Sequence, residues 1–499
     1  MKKNYTFHKR KVWIVFFLCL LMILCLIGRL IYLMGFRSDY YYEKAEDLHE
    51  RERDIKAARG EIVDAKGKVL AANKTVCTIS VIHSQIKEPE KVITLLTEKL
   101  GISEQTVRKK VEKISSIERI RTNVEKETGD EIRNAGFAGI KVDEDYRRYY
   151  PMGTLASKVL GFTGGDNQGI IGLEVEYDDI LKGKPGKILT TTDARGIELD
   201  GIGENREEPQ KGYTLRISLD ADIQKYVQQA AQKVMEEKQA ERVSILLMNP
   251  QNGEILGMTS SYPYNLNKPM DEKSLLSLYS QSEIDKMKAY TKQKQAEETT
   301  NSEDASEDSK DSTKKKTDDQ KTIYDAFNEL WRNSIISDTN EPGSTYKPFT
   351  VATGLESGAL TGNENYFCTG SLMVGKRNIG CSHVHGNITL KDAVAKSCNV
   401  AMMNIGFKEG ADTFYKYQNI FGFGRSTGID LPGETDTKSL VYNASNYSNS
   451  VTLATNAFGQ NFNCTMMQMA AGFCSLINGG NYYRPHIVKQ IQSDNGAVV

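Results

Sequence analysis

The stretch EPGSTYKPFT, residues 341–350, places Ser344 three residues before Lys347 and directly after a Pro-Gly pair. Apolar residues recur at helical spacing after it, which predicts a helix that begins at the Pro-Gly pair and ends near Gly358. Ser344 would then lie in the first turn, where free backbone N–H groups and the helix dipole favour negative charge. Lys347 would share its face, so a desolvated, neutral amine could serve as the base for a nucleophilic hydroxyl.

The Ser-x-x-Lys spacing is weak evidence by itself, because it occurs in this chain at Ser84, Ser312 and Ser344. Ser312 lies in a highly charged run and Ser84 lies in a predicted loop, so neither offers a rigid site. An ordinary surface lysine on an amphipathic helix would also produce the spacing of Ser344 and Lys347. A second motif is needed to choose between these interpretations.

The segment AVAKSCNVAMM supplies that motif, with Ser397 and Asn399 two positions apart. It ends a helical stretch for which Thr389 is the predicted N-cap, with Asp392 at capping-box spacing. A serine hydroxyl can relay a proton, and an asparagine amide can hold a peptide backbone in place. Another Ser-x-Asn pair near the end of the sequence falls in an Asp-Asn-Gly turn and is the weaker candidate.

One long apolar segment precedes the polar body of the chain. Residues 12–34 are almost entirely apolar, and a helix of that length can cross a hydrocarbon core about 30 Å thick. Five Lys and Arg residues precede it, which predicts a cytoplasmic tail at 1–11, a single-pass transmembrane anchor at 12–34 and an extracytoplasmic body. A cleaved signal peptide is the alternative, but the apolar run is longer than usual and no small-residue cleavage site follows it.

The body that follows the anchor reads as an α+β protein. Lys plus Arg number 64 against 65 Asp plus Glu, so the charge balance gives no reason to expect nucleic acid as a partner. A strand, a helix that begins at Asp220 and a hairpin around Asn252-Gly253 are predicted in succession. Residues 291–322 are nearly all Ser, Thr, Lys, Glu and Asp, which predicts a disordered insertion.

Several longer segments, together with the Ser-x-x-Lys and Ser-x-Asn motifs, resemble class B penicillin-binding proteins. The resemblance extends over nearly the whole chain, and the matching segments together are specific. They are RGEIVDAKGKVLA (59–71), RYYPMGTLASKVLGFTG (148–164), GIIGLEVEYDDILKGKPG (169–186), RNSIISDTNEPGSTYKP (332–348), FGFGRSTGIDLPGE (421–434) and AFGQNFNCTMMQMAAGFCSLINGG (457–480).

The resemblance implies an elongated mixed α/β pedestal of the dimerisation type at 40–210 and a transpeptidase domain at 211–499. The latter would be an antiparallel sheet with helices on both faces, similar to serine β-lactamases. It also implies a D,D-transpeptidase that cross-links peptidoglycan and is acylated by β-lactams. Ser344 would attack the D-Ala-D-Ala carbonyl, Lys347 would be the base, Ser397 would pass a proton to the leaving D-Ala, and Asn399 would hold the substrate backbone.

The sequence departs from the family pattern at its end. Neither Lys-Thr-Gly nor Lys-Ser-Gly occurs anywhere, although the family uses such a motif to bind the substrate carboxylate and complete the oxyanion hole. The RSTG at 425–428 is not a substitute, because Ser426 holds the position where a cation is needed. The expectation is therefore a C-terminally truncated chain with an incomplete active site, ending before the last strands of its transpeptidase domain.

Three of the eight cysteines, Cys368, Cys381 and Cys398, fall close together in the predicted extracytoplasmic domain. They could be unpaired thiols, a structural bridge between Cys368 and Cys381, or a redox-sensitive site in which a disulfide to Cys398 distorts the Ser-Cys-Asn loop. With His383 and His385 they also imitate a zinc pattern, but its long first interval makes this the least favoured interpretation. We expect no cofactor and no metal.

Three classes of function follow from these patterns. The favoured one is the cross-linking enzyme, which would act on peptidoglycan stem peptides or a lipid-linked precursor polymer and bind β-lactams. Its expected partners are a membrane-embedded glycosyltransferase and proteins of a division or spore-wall complex. A β-lactam sensor or β-lactamase, and a non-catalytic scaffold of a cell-wall assembly complex, are the alternatives.

Overall fold

The computed structural model describes residues 6–38, 50–115, 117–191, 205–303 and 320–499. These residues form two compact units. The first unit comprises residues 1–57, 75–146 and 184–210, and the second comprises 58–74, 147–183 and 211–499. The units therefore alternate along the chain, whereas the predicted division into domains at residue 210 is linear and stays a prediction.

The N-terminal apolar segment is helical throughout. An α-helix spans Thr6–Ile31, and a π-helical turn at Tyr32–Phe36 continues it. Residues Lys11–Phe36 are long and apolar enough to cross a membrane, and their large apolar side chains are exposed. The predicted anchor at 12–34 is thus one continuous helix.

The first unit packs three helices against antiparallel strands. Val92, Leu96 and Val107 from two helices are buried against Ile79 of the longest strand. The helix that carries Val92 ends where Gly101 adopts a left-handed φ of 60°. The helices are Pro89–Leu100, Glu104–Val111 and Lys126–Asn134, and the strands are Glu50–Ile55, Val69–Val81 from residue 75, Glu118–Glu125, Ile140–Tyr149 up to residue 146, Gly186–Thr191 and Asn205–Glu207.

The second unit contains a sheet, several two-stranded ribbons and many helices. In its sheet, Val488–Gln492 pairs antiparallel with Thr214–Ile217, which pairs in parallel with Ile62–Val63. Its other strands are Ser244–Met248, Ile255–Ser260, Thr339–Asn340, Asn365–Cys368, Ser371–Val374, Arg377–Gly380, Gly386–Thr389 and Cys464–Thr465. Its helices are Ser157–Leu160, Gly172–Glu176, Asp178–Leu181, Ala221–Lys238, Gln281–Glu303, Ile323–Trp331, Ser334–Ser337, Lys347–Glu356, Leu390–Ala395, Asn399–Glu409, Ala411–Ile420, Ser450–Ala457 and Met466–Ile477.

The predicted start of the second unit's main segment is confirmed. The Asp220 side chain accepts hydrogen bonds from the backbone N–H groups of Asp222 and Ile223 and so caps the following helix. The strands Ser244–Met248 and Ile255–Ser260 pair antiparallel across the Asn252-Gly253 turn. The α+β prediction is therefore confirmed.

The predicted disordered insertion is wrong over its first part. The helix Gln281–Glu303 continues past residue 291, while residues 304–319 lie outside the described residues. Thr291 is buried, and its hydroxyl donates to the Met287 carbonyl at 2.7 Å and accepts from the Ile323 N–H at 2.9 Å. This contact joins two helices and stabilises helical backbone that charged composition alone would leave unfolded.

A buried ion network lies in the second unit. The Glu174 carboxylate accepts from Arg59 Nε at 2.6 Å and from Arg148 Nε at 2.7 Å. Glu174 and Arg59 have no exposed surface, and the Tyr150 hydroxyl also donates to the carboxylate at 3.1 Å. Buried charges persist only when they are paired in this way, so the network ties the chain near residue 59 to the segment near 174.

Candidate active site

Ser344 lies where a 3-10 turn, Gly343–Tyr346, leads into the helix Lys347–Glu356. The turn approaches another backbone segment so closely that the Gly343 N–H donates to the Gly459 carbonyl at 2.7 Å. A Cβ at Gly459 would lie 2.0 Å from the Gly343 carbonyl oxygen, so only glycine fits there. This contact fixes the backbone on which Ser344 is presented to solvent.

An aromatic core holds the same helix from its other side. Tyr346 and Phe349 are buried, and their rings lie 5.2 Å and 5.1 Å from the ring of Phe423. Phe462 packs edge-on against Tyr346 at 5.0 Å. Because these large rings are locked in one arrangement, the turn that carries Ser344 has a rigid base.

Ser397 lies in a strained turn between two helices. Thr389 caps the helix Leu390–Ala395, as predicted, and the next helix begins at Asn399. Ser397 itself has a φ of 55°, in the left-handed region that costs energy for a residue with a Cβ. The turn points its hydroxyl at Ser344, since Ser397 Oγ donates to Ser344 Oγ at 2.9 Å.

Lys347 connects these groups through three hydrogen bonds. Its Nζ donates to Ser397 Oγ at 2.8 Å, to the Ser397 carbonyl at 2.7 Å and to Asn399 Oδ1 at 2.7 Å. Asn399 is held in turn, because its Nδ2 donates to the Gly380 carbonyl at 3.1 Å. The hydrogen bonds therefore link Lys347 to Ser344 through the hydroxyl of Ser397.

The burial of Lys347 makes its ammonium group easier to deprotonate. Lys347 is only 2% exposed, and burial lowers the pKa of its ammonium group below the usual value. Ser344, at the other end of this series of hydrogen bonds, is exposed, so its hydroxyl is accessible. An accessible hydroxyl linked to a buried amine is the arrangement expected for a nucleophile and its base.

All four residues singled out from the sequence, Ser344, Lys347, Ser397 and Asn399, lie together in this one site. The RSTG segment at 425–428 lies in a turn, in which the Glu434 carboxylate accepts hydrogen bonds from the Thr427 N–H at 2.7 Å and the Gly428 N–H at 3.1 Å. That segment is a turn closed on a carboxylate. Sequence reasoning missed the Gly380 carbonyl, which nothing in a motif could single out because only its backbone takes part.

A second cluster lies directly beside the Ser397 turn. Cys368, Cys381, Cys398 and His385 place one sulfur or nitrogen each within 4.8 Å of one another, and all eight cysteines are free thiols. His383, which the sequence pattern included, is absent from the cluster. Burial acts to raise the pKa of the Cys381 thiol, but the N–H groups of Val400, Asn399 and His383 outweigh it and lower the value to about 7.

The chain matches two models of a known family. Residues 243–498 match the family described as penicillin binding protein transpeptidase domain, and residues 54–217 match the penicillin-binding protein dimerisation domain. The chain belongs to the class B penicillin-binding proteins. The first match contains all four residues of the candidate site.

Curated relatives of this penicillin-binding protein agree over nearly its whole length. It is 30% identical to the stage V sporulation protein D of Bacillus subtilis over 493 residues, which is 98% of this chain and 68% of the relative. It is 24% identical to the peptidoglycan D,D-transpeptidase FtsI of Escherichia coli K12 over 483 residues, 95% of this chain and 71% of that protein.

A solved structure has the same fold. The crystal structure of penicillin binding protein 2X from Streptococcus thermophilus aligns with a TM-score of 0.64 and 22% identity. The alignment covers 90% of this chain and 63% of that one. The predicted fold class is confirmed as an N-terminal apolar helix, a mixed α/β dimerisation domain and then a penicillin-binding transpeptidase domain.

Proposed function

We propose that this chain is a peptidoglycan D,D-transpeptidase that forms an acyl-enzyme on Ser344. One observation carries the proposal, the hydrogen-bonded chain from Lys347 Nζ through Ser397 Oγ to Ser344 Oγ. A relatedness to proteins named peptidoglycan D,D-transpeptidase supplies the substrate class. A serine exposed at one end of the chain and a buried amine at the other suit acyl transfer.

In the first half-reaction Ser344 Oγ attacks the carbonyl carbon of the penultimate D-Ala of a stem peptide. For this step Lys347 must first release one of the three protons that its Nζ donates in the structure. The Ser344 proton then passes to Ser397, which passes its own proton to the amine. The tetrahedral intermediate then expels the terminal D-Ala, whose nitrogen takes a proton back through Ser397. The products are free D-Ala and an ester on Ser344.

In the second half-reaction an amine of another stem peptide attacks that ester. Lys347 and Ser397 accept the proton of the amine and return it to Ser344, so the enzyme regains its starting state and one peptide cross-link forms. A β-lactam would enter the same first step, and its opened ring would remain on Ser344. Neither half-reaction needs an added oxidant, reductant or cofactor.

Asn399 has two functions in this proposal. Its Oδ1 accepts from Lys347 and one of its Nδ2 hydrogens goes to the Gly380 carbonyl, which leaves the second hydrogen for a substrate carbonyl. The same side chain would therefore fix the base and hold the peptide backbone. Ordering both groups before the substrate arrives removes part of the entropic cost of the reaction.

The location of the reaction follows from the N-terminal helix. The basic residues before the helix favour a cytoplasmic N-terminus, which would place both units outside the membrane. An extracytoplasmic location would suit two partners. They are a lipid-linked glycan polymer and the glycosyltransferase that makes it. One relative is named a stage V sporulation protein and another is named FtsI, and these two relatives favour a spore-wall or division complex.

A synthetic stem pentapeptide with a labelled terminal D-Ala tests the reaction. The chain, extended by a segment with the family's Lys-Thr-Gly motif and kept in detergent, should release the label, and an added amine acceptor should appear in the product as a new amide. Ser344→Ala should abolish both the release of D-Ala and its replacement by the amine. Ser357→Ala should abolish neither, since Ser357 is an exposed serine at the far end of the helix that follows Ser344. Release of D-Ala without any transfer to the amine would contradict a transpeptidase.

A further inference from the structure

We propose that Cys368, Cys381, His385 and Cys398 form a structural zinc site directly behind the Ser397 turn. The inference goes beyond the proposed acyl transfer, since it concerns how the site is held together. It stands on the convergence of four ligand types that zinc prefers, three cysteine sulfurs and one imidazole nitrogen.

The spacing of the four atoms matches tetrahedral zinc. With Zn–S bonds of about 2.3 Å and Zn–N bonds of about 2.0 Å, two sulfurs should lie roughly 3.8 Å apart, and a sulfur and a nitrogen roughly 3.6 Å apart. Cys381 Sγ lies 3.9 Å from Cys398 Sγ and 3.6 Å from His385 Nδ1. No atom of the set is farther than 4.8 Å from another, so small shifts would bring all four into one coordination sphere.

The surroundings of the cluster suit bound thiolates. The Asn399 N–H donates to Cys381 Sγ at 3.2 Å and the Ala401 N–H donates to Cys398 Sγ at 3.4 Å. Such N–H donors stabilise negative sulfur and orient it toward a metal. Cys368 and Cys398 have no exposed surface, and four protein ligands would leave no open position, which is typical of a structural site.

The ligands come from separate segments that a metal would join. Cys368 ends one strand, Cys381 follows another, and His385 precedes a third. Cys398 lies between Ser397 and Asn399, at the N-cap of the helix Asn399–Glu409. Zinc would therefore fasten the strands to the turn that supplies the proton relay and the substrate-binding amide. Cys398 acts here as a positioning residue rather than a catalytic one.

Metal content tests the proposal independently of acyl transfer. The 499-residue chain, purified in detergent with a reductant and without chelator, should contain about one zinc ion per chain. X-ray absorption at the zinc edge should show three sulfurs at about 2.3 Å and one nitrogen at about 2.0 Å. This spectrum separates the site from zinc held elsewhere, for example by a purification tag.

Matched variants locate the ligands. Cys381→Ser and His385→Ala should each weaken zinc retention against a chelator by at least about tenfold. His383→Ala, a neighbouring histidine outside the cluster, and Cys464→Ser, a buried cysteine elsewhere, should retain zinc as the unmodified chain does. Because the wild-type spectrum stands without any variant, misfolding of a variant does not protect the proposal.

Three results would overturn the zinc site. One is a chain without stoichiometric zinc under these conditions, and another is a zinc content that Cys381→Ser and His385→Ala leave unchanged. The third is a Cys381–Cys398 disulfide, found by counting thiols, in a protein that still forms the acyl-enzyme. An unmodified chain that contains no zinc but is acylated normally at Ser344 would reject this inference alone and leave the proposed function standing.

Discussion

Lys347 Nζ lies 2.8 Å from Ser397 Oγ, and that hydroxyl donates to Ser344 Oγ at 2.9 Å. The proposed base and the proposed nucleophile are thus connected through a serine from a different helix-turn segment. Ser397 makes this link from a strained backbone conformation, with a φ of 55°. Catalysis in our account depends on the link as much as on the Ser-x-x-Lys pair.

Ser397→Ala should therefore slow acylation strongly. We expect the acylation rate with a labelled penicillin to fall by roughly 10²- to 10⁴-fold, because the relay between Lys347 and Ser344 is lost. Stopped-flow or gel-based acylation kinetics measure this, with Ser357→Ala as the control. An acylation rate within a factor of about three of the unmodified chain would show that the relay is unnecessary.

Replacement of Lys347 separates a base from a fixed charge. Lys347→Arg keeps a cation that cannot deprotonate in a protein, and Lys347→Met keeps an unbranched side chain without any charge. Both should lower the acylation rate by about 100-fold or more, because neither can accept a proton. Near-normal acylation by Lys347→Arg would mean that the positive charge, not proton acceptance, is what the site requires.

Glu409 should make stability depend on pH. Burial raises the pKa of its carboxyl to about 9, against a smaller opposing effect of the Gly354 N–H, whereas the ordinary value is 4.5. The folded state therefore binds a proton that the unfolded state has released, and its stability falls between these two values by at most about 1.4 kcal/mol per pH unit. Removing this titration should make Glu409→Gln progressively more stable than the unmodified chain as the pH rises from 5 to 8.

Thermal unfolding at several pH values measures this difference, with Glu364→Gln as the control. Hydrogen bonds, first that from the Thr361 N–H, lower the pKa of Glu364 to about 2. The Glu364 carboxyl is charged above pH 5 in both the folded and the unfolded state. The change in stability caused by Glu364→Gln should therefore stay constant between pH 5 and 8. A Glu409→Gln difference that is equally constant would contradict a buried, protonated Glu409.

The buried Glu174 network should matter far more than a surface pair. Glu174→Ala should lower the free energy of unfolding by about 3–5 kcal/mol, because it removes the carboxylate that Arg148 and Arg59 share and leaves Arg59 with Asp178 as its remaining ion-pair partner. Asp179→Asn, which breaks an exposed pair with Lys182, should cost no more than about 1 kcal/mol. Denaturant unfolding compares them, and equal effects would show that water reaches the network.

Local rules predicted much of this structure and the helical placement of Ser344 and Lys347. The N-cap at Asp220 and the turn at Asn252-Gly253 depend on neighbours in sequence, and both were predicted correctly. The contact between Ser344 and Ser397 joins residues far apart in the chain, so no spacing rule could give it. It was expected only because the two motifs resemble those of a family.

Tertiary contacts decided the features that the sequence did not predict. Thr291 belongs to a charged run, yet it lies within the helix Gln281–Glu303. Its hydroxyl accepts a hydrogen bond from the Ile323 N–H. The sequence pattern included both His383 and His385, whereas in the folded chain His383 lies outside the cluster. Which of these side chains come together depends on how the strands and the Ser397 turn pack, and local sequence does not encode that packing.

The central claim is that Ser344 is the nucleophile. The direct measurement is acylation of the 499-residue chain by a labelled penicillin, with the modified peptide located by mass spectrometry in the unmodified chain and in Ser344→Ala. Our account predicts one adduct on Ser344 that disappears in Ser344→Ala and persists in Ser426→Ala, whose serine lies in the turn closed by Glu434. An adduct that persists in Ser344→Ala, or no serine adduct on the chain even when it is extended by a segment with the family's Lys-Thr-Gly motif, would contradict it.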